Sequence, residues 1–214
     1  MLYSKRLLLR ALQQADLSTT YLSWLNDADV NRYLETRFLP QTTESLQSYW
    51  RDHRDDPANP WFAICLIDDG RHIGNIKLGP IQWLHRRADL SLFIGDKSCW
   101  GLGYASEAIS LVCDWAFREL DLQKLNAGIY AGNFGSRRAF EKNGFALEGT
   151  LRQEVVSNGS RVDLWRMGLP RSSWCAASRQ HLALFRRGHH QLVCLGRCCC
   201  RFRAFRWSYT SLSA

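Results

Sequence analysis

The sequence predicts an α+β domain built on a mixed, largely antiparallel sheet that is flanked by helices. Three observations predict this class. Apolar runs of strand length are separated by segments with helical spacing. The turn Asp68-Asp69-Gly70 joins two such runs as an antiparallel hairpin. A chain of 214 residues, 46% of them hydrophobic, is long enough for one core and short for two, so we expect a single domain.

The predicted order of elements is β-α-α-β-β-β-α-β-α-β-β. A first strand at about Arg6–Leu12 precedes helical patterning that runs from Asp16, an N-cap candidate, through Leu34. The later elements are helix Thr43–His53, strands Trp61–Ile67, His72–Leu78 and Ala88–Ile94, helix Tyr104–Leu120, strand Lys124–Tyr130, helix Ser136–Asn143, and a hairpin of Leu151–Val156 with Arg161–Gly168.

Charge and cysteine both divide the chain near residue 170. The formal charge of +8 belongs to residues 171–214, which hold eight Arg and no Lys, Asp or Glu. Because the charges of residues 1–170 cancel, a nucleic-acid-binding groove in the body is not expected. Five of the eight cysteines also lie in this Arg/Cys-rich tail, and the three in the body make no disulfide framework.

The tail has two readings that the sequence leaves open. It is either a genuine basic arm or a non-native extension, disordered and never selected for folding, and we favour the second. Its Cys and His spacing does not match a structural zinc site, so no metal is expected. No apolar run approaches the roughly 20 residues that span a bilayer, so we expect a cytoplasmic protein without a membrane partner.

The segment Trp100-Gly101-Leu102-Gly103-Tyr104-Ala105 is where the sequence is most informative about chemistry. Glycines let the backbone turn tightly and let an anion approach main-chain N–H groups that a Cβ would obstruct. The helix that follows aims its N-terminal N–H groups at the same place. The pattern therefore predicts a cradle for a pyrophosphate, although simple close packing can produce the same spacing.

The segment Trp100–Ala108 resembles the acyl-CoA-binding motif of the GNAT superfamily of N-acetyltransferases, and in particular its RimJ/RimL-like branch. The segment Asn133–Phe145 resembles the second signature of that branch, and the similarity covers about residues 5–169 in the family's order. The family's pattern has Gln or Arg where this chain has Trp100. The resemblance implies a GNAT-like fold over residues 1–170 and acetyl-CoA as co-substrate.

The resemblance also implies which residues bind the cofactor and how the acceptor amine reacts. The pantetheine arm would lie along the strand that includes Phe93 and Ile94, and Asn133 and Ser136 would contact it. The pyrophosphate would sit on the backbone of Trp100, Gly101, Leu102, Gly103, Tyr104, Ala105 and Ser106. The expected reaction is direct attack of a primary amine on the thioester, the acceptor being a small molecule such as an amino sugar or a protein N-terminal amine.

Three residues are candidates for the catalytic roles. Many GNAT enzymes protonate the departing thiolate with a tyrosine at the position that is Phe140 here, so Ser136, one helical turn earlier, is the candidate donor. Its alternative role is a helix N-cap, which Asn133 can fill instead. Asp89 and His85 are the candidate general bases, and both can equally be surface or substrate-contacting residues.

Two other classes of function remain open from the sequence. Phe140, which cannot donate a proton, favours a non-catalytic acyl-CoA-binding sensor. The tail arginines alone favour a nucleic-acid-binding protein. The sequence decides neither the acceptor amine nor the oligomeric state.

Overall fold

Apolar runs of strand length form one eight-stranded sheet in the computed structural model, which describes residues 1–174. The strands are β1 (Leu2–Tyr3), β2 (Leu7–Ala11), β3 (Trp61–Leu66), β4 (His72–Leu78), β5 (Arg87–Ile94), β6 (Lys124–Tyr130), β7 (Ala146–Ser157) and β8 (Ser160–Pro170). The α-helices of the described part are α1 (Thr19–Asn26), α2 (Thr43–His53), α3 (Tyr104–Arg118) and α4 (Phe134–Glu141). No helix within residues 1–174 is long and apolar enough to cross a membrane.

The strands lie in the order β1-β2-β3-β4-β5-β6-β8-β7. Neighbouring strands are antiparallel except for β5 and β6, which are parallel. The predicted α+β class, with a mixed and largely antiparallel sheet in a single domain, is therefore confirmed. The one parallel pair lies in the middle of the sheet, next to the glycine segment that predicts an anion cradle.

Helices cover both faces of the sheet. Because successive side chains of a strand point to opposite faces, each strand contributes side chains to the core on either face. On β3, Ile64 belongs to the core that packs under α3, whereas Ala63 and Cys65 belong to the core under α1 and α2. The α3 core includes Leu7, Leu9, Ile73, Ile76, Ile109, Val112 and Phe117, and the α1/α2 core includes Tyr21, Trp24, Leu25, Leu46 and Trp50.

The first helix is shorter than the sequence predicts, and the prediction of Asp16 as its N-cap is wrong. Ser18 caps α1 instead, its Oγ accepting a hydrogen bond from the Tyr21 N–H at 3.2 Å. The helix ends at Asn26, well before the predicted end at Leu34. Side chains further along, up to Leu34, are in turns, which helical apolar spacing alone does not distinguish from a helix.

Asp16 lies in a short 3-10 turn and accepts a hydrogen bond from each of the two terminal nitrogens of Arg10, both at 2.6 Å. Burial on its own would raise the pKa of Asp16. The hydrogen bonds from Arg10 and from the Gln13 N–H outweigh burial and hold that pKa below its usual value. The ion pair fixes the segment that enters α1 against the end of β2.

The final hairpin is longer than the predicted Leu151–Val156 and Arg161–Gly168. β8 pairs with β6 from Leu164 to Pro170 and also with β7, so it lies inside the sheet. The pairing register shifts at two places along β7. These shifts interrupt the alternation of apolar and polar residues from which the length of a strand is predicted.

Residues just past the predicted boundary at residue 170 contact the domain. The Arg171 N–H donates to the Gln123 carbonyl at 2.9 Å, and the Trp174 ring lies 6.1 Å from the Phe117 ring of α3. The prediction of a separate Arg/Cys-rich tail otherwise falls on residues 175–214, which lie outside the described residues. It stays a prediction.

Close packing of α1 against the end of β5 depends on Gly95. A Cβ added to Gly95 would lie 2.1 Å from Cδ2 of Trp24, so the indole occupies the space that any other residue would fill. Trp24 itself is buried in the α1/α2 core. Gly95 therefore sets how closely α1 approaches the strand that leads into the glycine segment.

We predict that Gly95→Ala lowers the free energy of unfolding by about 1–3 kcal/mol, because the indole must move out of a filled core. Urea unfolding followed by fluorescence measures this change. Gly149→Ala is the matched control, since a Cβ there meets no atom within 4 Å in the described structure, and we expect a change within about 0.5 kcal/mol. Equal effects of the two substitutions would contradict the packing argument.

Candidate active site

The two parallel strands at the centre of the sheet part after a short paired stretch. β5 and β6 pair over three rungs, the last of which is Asp89 with Asn126. Beyond that rung β5 continues with β4 as far as Ile94, and β6 continues with β8 as far as Tyr130. The result is a V-shaped opening, called the splay from here on, between Leu90–Ile94 and residues 127–130.

One edge of β5 faces into the splay with its backbone groups. The Gly79 N–H donates to the Asp89 carbonyl, and the Gly95 N–H donates to the Ile73 carbonyl, so these residues direct their backbone groups towards β4. Strand alternation then directs those of Leu90, Leu92 and Ile94 into the splay. An extended ligand with amide groups can pair with such an edge as an added strand does.

The predicted strand residues differ in what they offer to the splay. Ile94 directs its backbone into it, and its carbonyl accepts a hydrogen bond from the Trp100 indole N–H at 2.8 Å. Phe93 presents its side chain to the α1 face, where its ring stacks 6.1 Å from the Tyr21 ring. Phe93 thus borders the splay through its side chain, on the opposite side from α3.

A row of backbone N–H groups lies at the end of β5. Gly101 and Gly103 have φ angles of 75° and 84°, which turn the chain so that Gly103 caps α3 without a side-chain hydrogen bond. The first helical hydrogen bond runs from the Glu107 N–H to the Gly103 carbonyl at 3.1 Å. Within residues 1–174, the N–H groups of Gly101, Leu102, Gly103, Tyr104, Ala105 and Ser106 have no acceptor.

The Trp100 N–H is not part of this row, which corrects the sequence prediction. It donates to the Lys97 carbonyl at 3.1 Å and closes a short 3-10 turn. The side chain of Trp100 ties the loop to the end of β5 through Ile94. Trp100 therefore shapes the cradle without supplying a free amide to it.

The carboxylate of Glu107, in the first turn of α3, is held by the N-terminal hairpin. It accepts hydrogen bonds from Ser4 Oγ at 2.5 Å, from the Arg6 N–H at 3.2 Å and from Arg6 Nε at 2.7 Å. Burial would raise the pKa of Glu107, but the donors of Ser4 and Arg6 outweigh it and lower that pKa. Sequence reasoning missed Arg6 as part of this site, because 101 positions separate it from Glu107.

The helix that follows β6 begins earlier than predicted, and its cap is Asn133. Asn133 Oδ1 accepts from the Ser136 N–H at 3.2 Å, so α4 runs from Phe134 and not from Ser136. The alternative role of Ser136 as a cap is thereby excluded. Its hydroxyl, half-buried, has no hydrogen-bond partner in the described part of the chain.

The second signature is anchored by two further contacts. Phe140 is 2% exposed and its ring lies 4.9 Å from that of Phe145, so it belongs to the core. Asn143 Nδ2 donates to the carbonyl and to Oγ of Ser106, both at 3.0 Å. Asn143 therefore fixes the end of α4 to the first turn of α3 and sets the distance between Ser136 and the cradle.

The structure separates the two candidate bases. Asp89 lies on the rung where the strands part, with its Oδ1 3.3 Å from Asn126 Nδ2 and its Oδ2 3.4 Å from both terminal nitrogens of Arg166. His85 is exposed in the turn that precedes β5, at the end of that strand opposite to Ile94. The fold thus brings Asp89 to the splay and leaves His85 away from it.

A second cluster lies at the far end of β6. The Tyr130 hydroxyl donates to the Glu35 carboxylate and accepts from the Arg37 guanidinium at 3.2 Å. Burial and the hydrogen bond to Glu35 raise the pKa of Tyr130, so it stays protonated near neutral pH. These residues, with the Tyr33 ring 6.0 Å from that of Tyr130, form the acceptor mouth on the α1 side of the splay.

Comparison with known proteins adds independent findings. The model of the acetyltransferase (GNAT) domain family matches residues 6–146. The uncharacterized N-acetyltransferase YoaA of Bacillus subtilis is 32% identical over 165 residues, which are 76% of this chain and 92% of that protein. Spermidine N(1)-acetyltransferase of Escherichia coli K12 is 30% identical over 176 residues, 82% of this chain and 88% of that one. A crystal structure of spermidine N-acetyltransferase from Vibrio cholerae in complex with CoA and spermine superposes with a TM-score of 0.73 at 26% identity, covering 80% of this chain and 99% of that one.

We predict that Gly103→Val abolishes acetyl-CoA binding, because a β-branched residue at φ 84° forces the row of amides out of its arrangement. Isothermal titration calorimetry measures the binding. Gly70→Val is the matched control, since Gly70 has a φ of 70° in the hairpin turn between β3 and β4, and it should lose stability without losing affinity. Retained binding by a folded Gly103→Val protein would contradict the assignment of the cradle.

Proposed function

The chain belongs to the acetyltransferase (GNAT) family and is an acetyl-CoA-dependent N-acetyltransferase, and we propose that it acetylates a cationic primary amine of a small molecule. The observation that carries this proposal is the splay with its neighbouring row of amides. The splay offers a strand edge to an amide-bearing arm, and the row offers donors to a diphosphate. CoA carries both groups.

The acceptor mouth supports an amine that carries positive charge. Glu35 is exposed, and within residues 1–174 its carboxylate pairs with no cationic side chain, accepting only from the Tyr130 hydroxyl. Arg37 is directed to the carbonyls of Leu34 and Val156 and to Tyr130. An exposed carboxylate that accepts only from a neutral hydroxyl can accept charge-assisted hydrogen bonds from an alkylammonium group. The likeness to spermidine acetyltransferases, at 26–30% identity, supports the same class of acceptor.

In the proposed reaction the free amine nitrogen attacks the thioester carbon, the carbon–sulfur bond breaks, and the thiolate takes up a proton. Ser136, whose hydroxyl is free and whose cap role is filled by Asn133, is the proposed hydrogen-bond donor to the departing sulfur, and the proton that the thiolate takes up balances the one that the amine releases. Asp89 at the base of the splay is the proposed contact for the amine proton, directly or through water. His85 is not part of this proposal.

Direct attack is favoured over a covalent acyl-enzyme because, among residues 1–174, no activated thiol lies near the loop. Cys99 is buried, and burial raises the pKa of its thiol, which disfavours the nucleophilic thiolate. Cys65 and Cys113 are buried elsewhere in the described core.

The branch of the family and the cellular location of the protein remain proposals. Ser136 and Phe140 support the RimJ/RimL-like branch, whereas the spermidine acetyltransferase relatives support a different acceptor class. A cytoplasmic location belongs to the same set. The non-catalytic sensor is set aside, because relatives across the length of the domain are N-acetyltransferases.

We predict that Ser136→Ala lowers kcat by about 100-fold, because the thiolate loses its hydrogen-bond donor, while acetyl-CoA affinity stays within threefold of the wild type. Release of free CoA at saturating substrate measures kcat. Ser110→Ala, which removes a hydroxyl from α3 outside the cradle, is the control and should leave kcat unchanged. An unchanged kcat in Ser136→Ala would remove Ser136 from the mechanism.

A panel of amines tests the acceptor. We predict that spermidine is acetylated with a higher kcat/KM than an amino sugar or a peptide with a free N-terminal amine, because the acceptor mouth presents an anionic group. Glu35→Gln should raise the KM for spermidine about tenfold and leave the KM for acetyl-CoA unchanged. Glu154→Gln, on exposed β7, serves as the control. A higher kcat/KM for the amino sugar or the peptide would contradict the proposal that the acceptor is a small cationic amine.

A further inference from the structure

We propose that Arg6 is a diphosphate-binding residue, supplied by the N-terminal hairpin, that also neutralises Glu107 at the cofactor cradle. This inference rests on the proposed position of the diphosphate at the amides of Gly101–Ser106. It goes beyond that position by assigning a role in the affinity for acetyl-CoA to a side chain that lies about 100 positions earlier in the sequence, in the N-terminal hairpin.

The guanidinium of Arg6 lies directly against the loop. Its Nη1 donates to the Leu102 carbonyl at 3.1 Å, and its centre lies 4.5 Å from the centroid of the Tyr104 ring. A Cβ built on Gly103 would lie 3.7 Å from Arg6 Nη2, the one atom that it meets within 4 Å in the described part of the chain outside its own neighbours in sequence. Arg6 is thus the side chain that borders the glycine at the centre of the cradle.

Arg6 has donors to spare. A guanidinium carries five N–H groups. Glu107 Oε2 accepts from Nε at 2.7 Å and lies 2.5 Å from Nη2 as an ion pair, and the Leu102 carbonyl accepts from Nη1. The hydrogen bonds among residues 1–174 therefore leave at least one N–H free on each terminal nitrogen, and 43% of the side chain is exposed. A planar fork with spare donors on both terminal nitrogens, beside a row of amides, matches the oxygens of a diphosphate.

The charge of Glu107 explains why diphosphate binding needs the ion pair between Arg6 and Glu107. Glu107 is in the first turn of α3, where the helix dipole and the free amides favour an anion. An unpaired carboxylate at this turn would repel a diphosphate that binds to the same amides. Arg6, together with the hydroxyl of Ser4, holds the carboxylate on the β1–β2 side and cancels its charge.

Four variants separate the two roles: Arg6→Ala, Arg6→Lys, Glu107→Gln and the double change of Arg6→Ala with Glu107→Gln. We expect Arg6→Ala to raise the KM for acetyl-CoA about 10- to 100-fold with kcat within threefold of the wild type. The double variant should recover part of that loss, because the repelling carboxylate is gone. Arg6→Lys should fall between the wild type and Arg6→Ala, since it keeps the charge and loses the fork.

The decisive comparison uses S-acetylpantetheine, which carries the thioester arm without the diphosphate. Arg6→Ala should leave kcat/KM for this substrate unchanged. An equal loss with both substrates would mean that Arg6 only maintains the fold, and no loss with either would exclude it from the site. Arg118→Ala breaks an exposed ion pair with Asp114 at the other end of α3, and as the control it should change neither KM.

The outcomes also distinguish this inference from the proposed function. If the wild type acetylates amines and Arg6→Ala behaves like it, the inference fails and the function stands. If the wild type neither binds acetyl-CoA nor releases CoA with any amine, the proposed function itself fails.

Discussion

The arrangement of this domain depends on the divergence of β5 and β6 after three paired rungs. Each strand keeps its outer partner, β4 for Ile94 and β8 for Tyr130, so the sheet stays intact on both sides of the opening. Backbone groups of Leu92 and Ile94 are thereby directed to a strand edge in the middle of a sheet, where pairing is normally complete. A ligand that contributes an extended amide-bearing arm can complete that pairing.

The two ends of the splay have different chemistry because different segments reach them. At the end of β5, Gly101 and Gly103 turn the chain into α3, and free amides lie there beside a Glu107 carboxylate that Arg6 neutralises. At the end of β6, the segment between α1 and α2 brings Glu35 to Tyr130. The free amides favour an anion, and the Glu35 carboxylate is the group for which we propose a cationic acceptor.

Sequence reasoning predicted those parts of the fold that depend on local patterns. The hairpin of β3 and β4, the strand before the glycine segment and the helix after it follow from apolar runs and turn residues. The contacts that complete the site are long-range and have no local signature. Arg6 meets Glu107 across 101 positions and Tyr130 meets Glu35 across 95, which no spacing rule relates. The pairing of the Trp100 N–H with the Lys97 carbonyl could not be predicted either, because it depends on a 3-10 turn that has no clear sequence pattern.

A titration of the 15N-labelled protein with CoA, followed through its amide resonances, tests the cofactor site directly. We expect the largest shifts at Gly101, Gly103 and Ala105, together with the splay-facing Leu92. The Trp100 amide should shift less, because it is already paired with Lys97. Binding of CoA with the glycine amides unmoved and the largest shifts elsewhere in the domain would contradict this cofactor site.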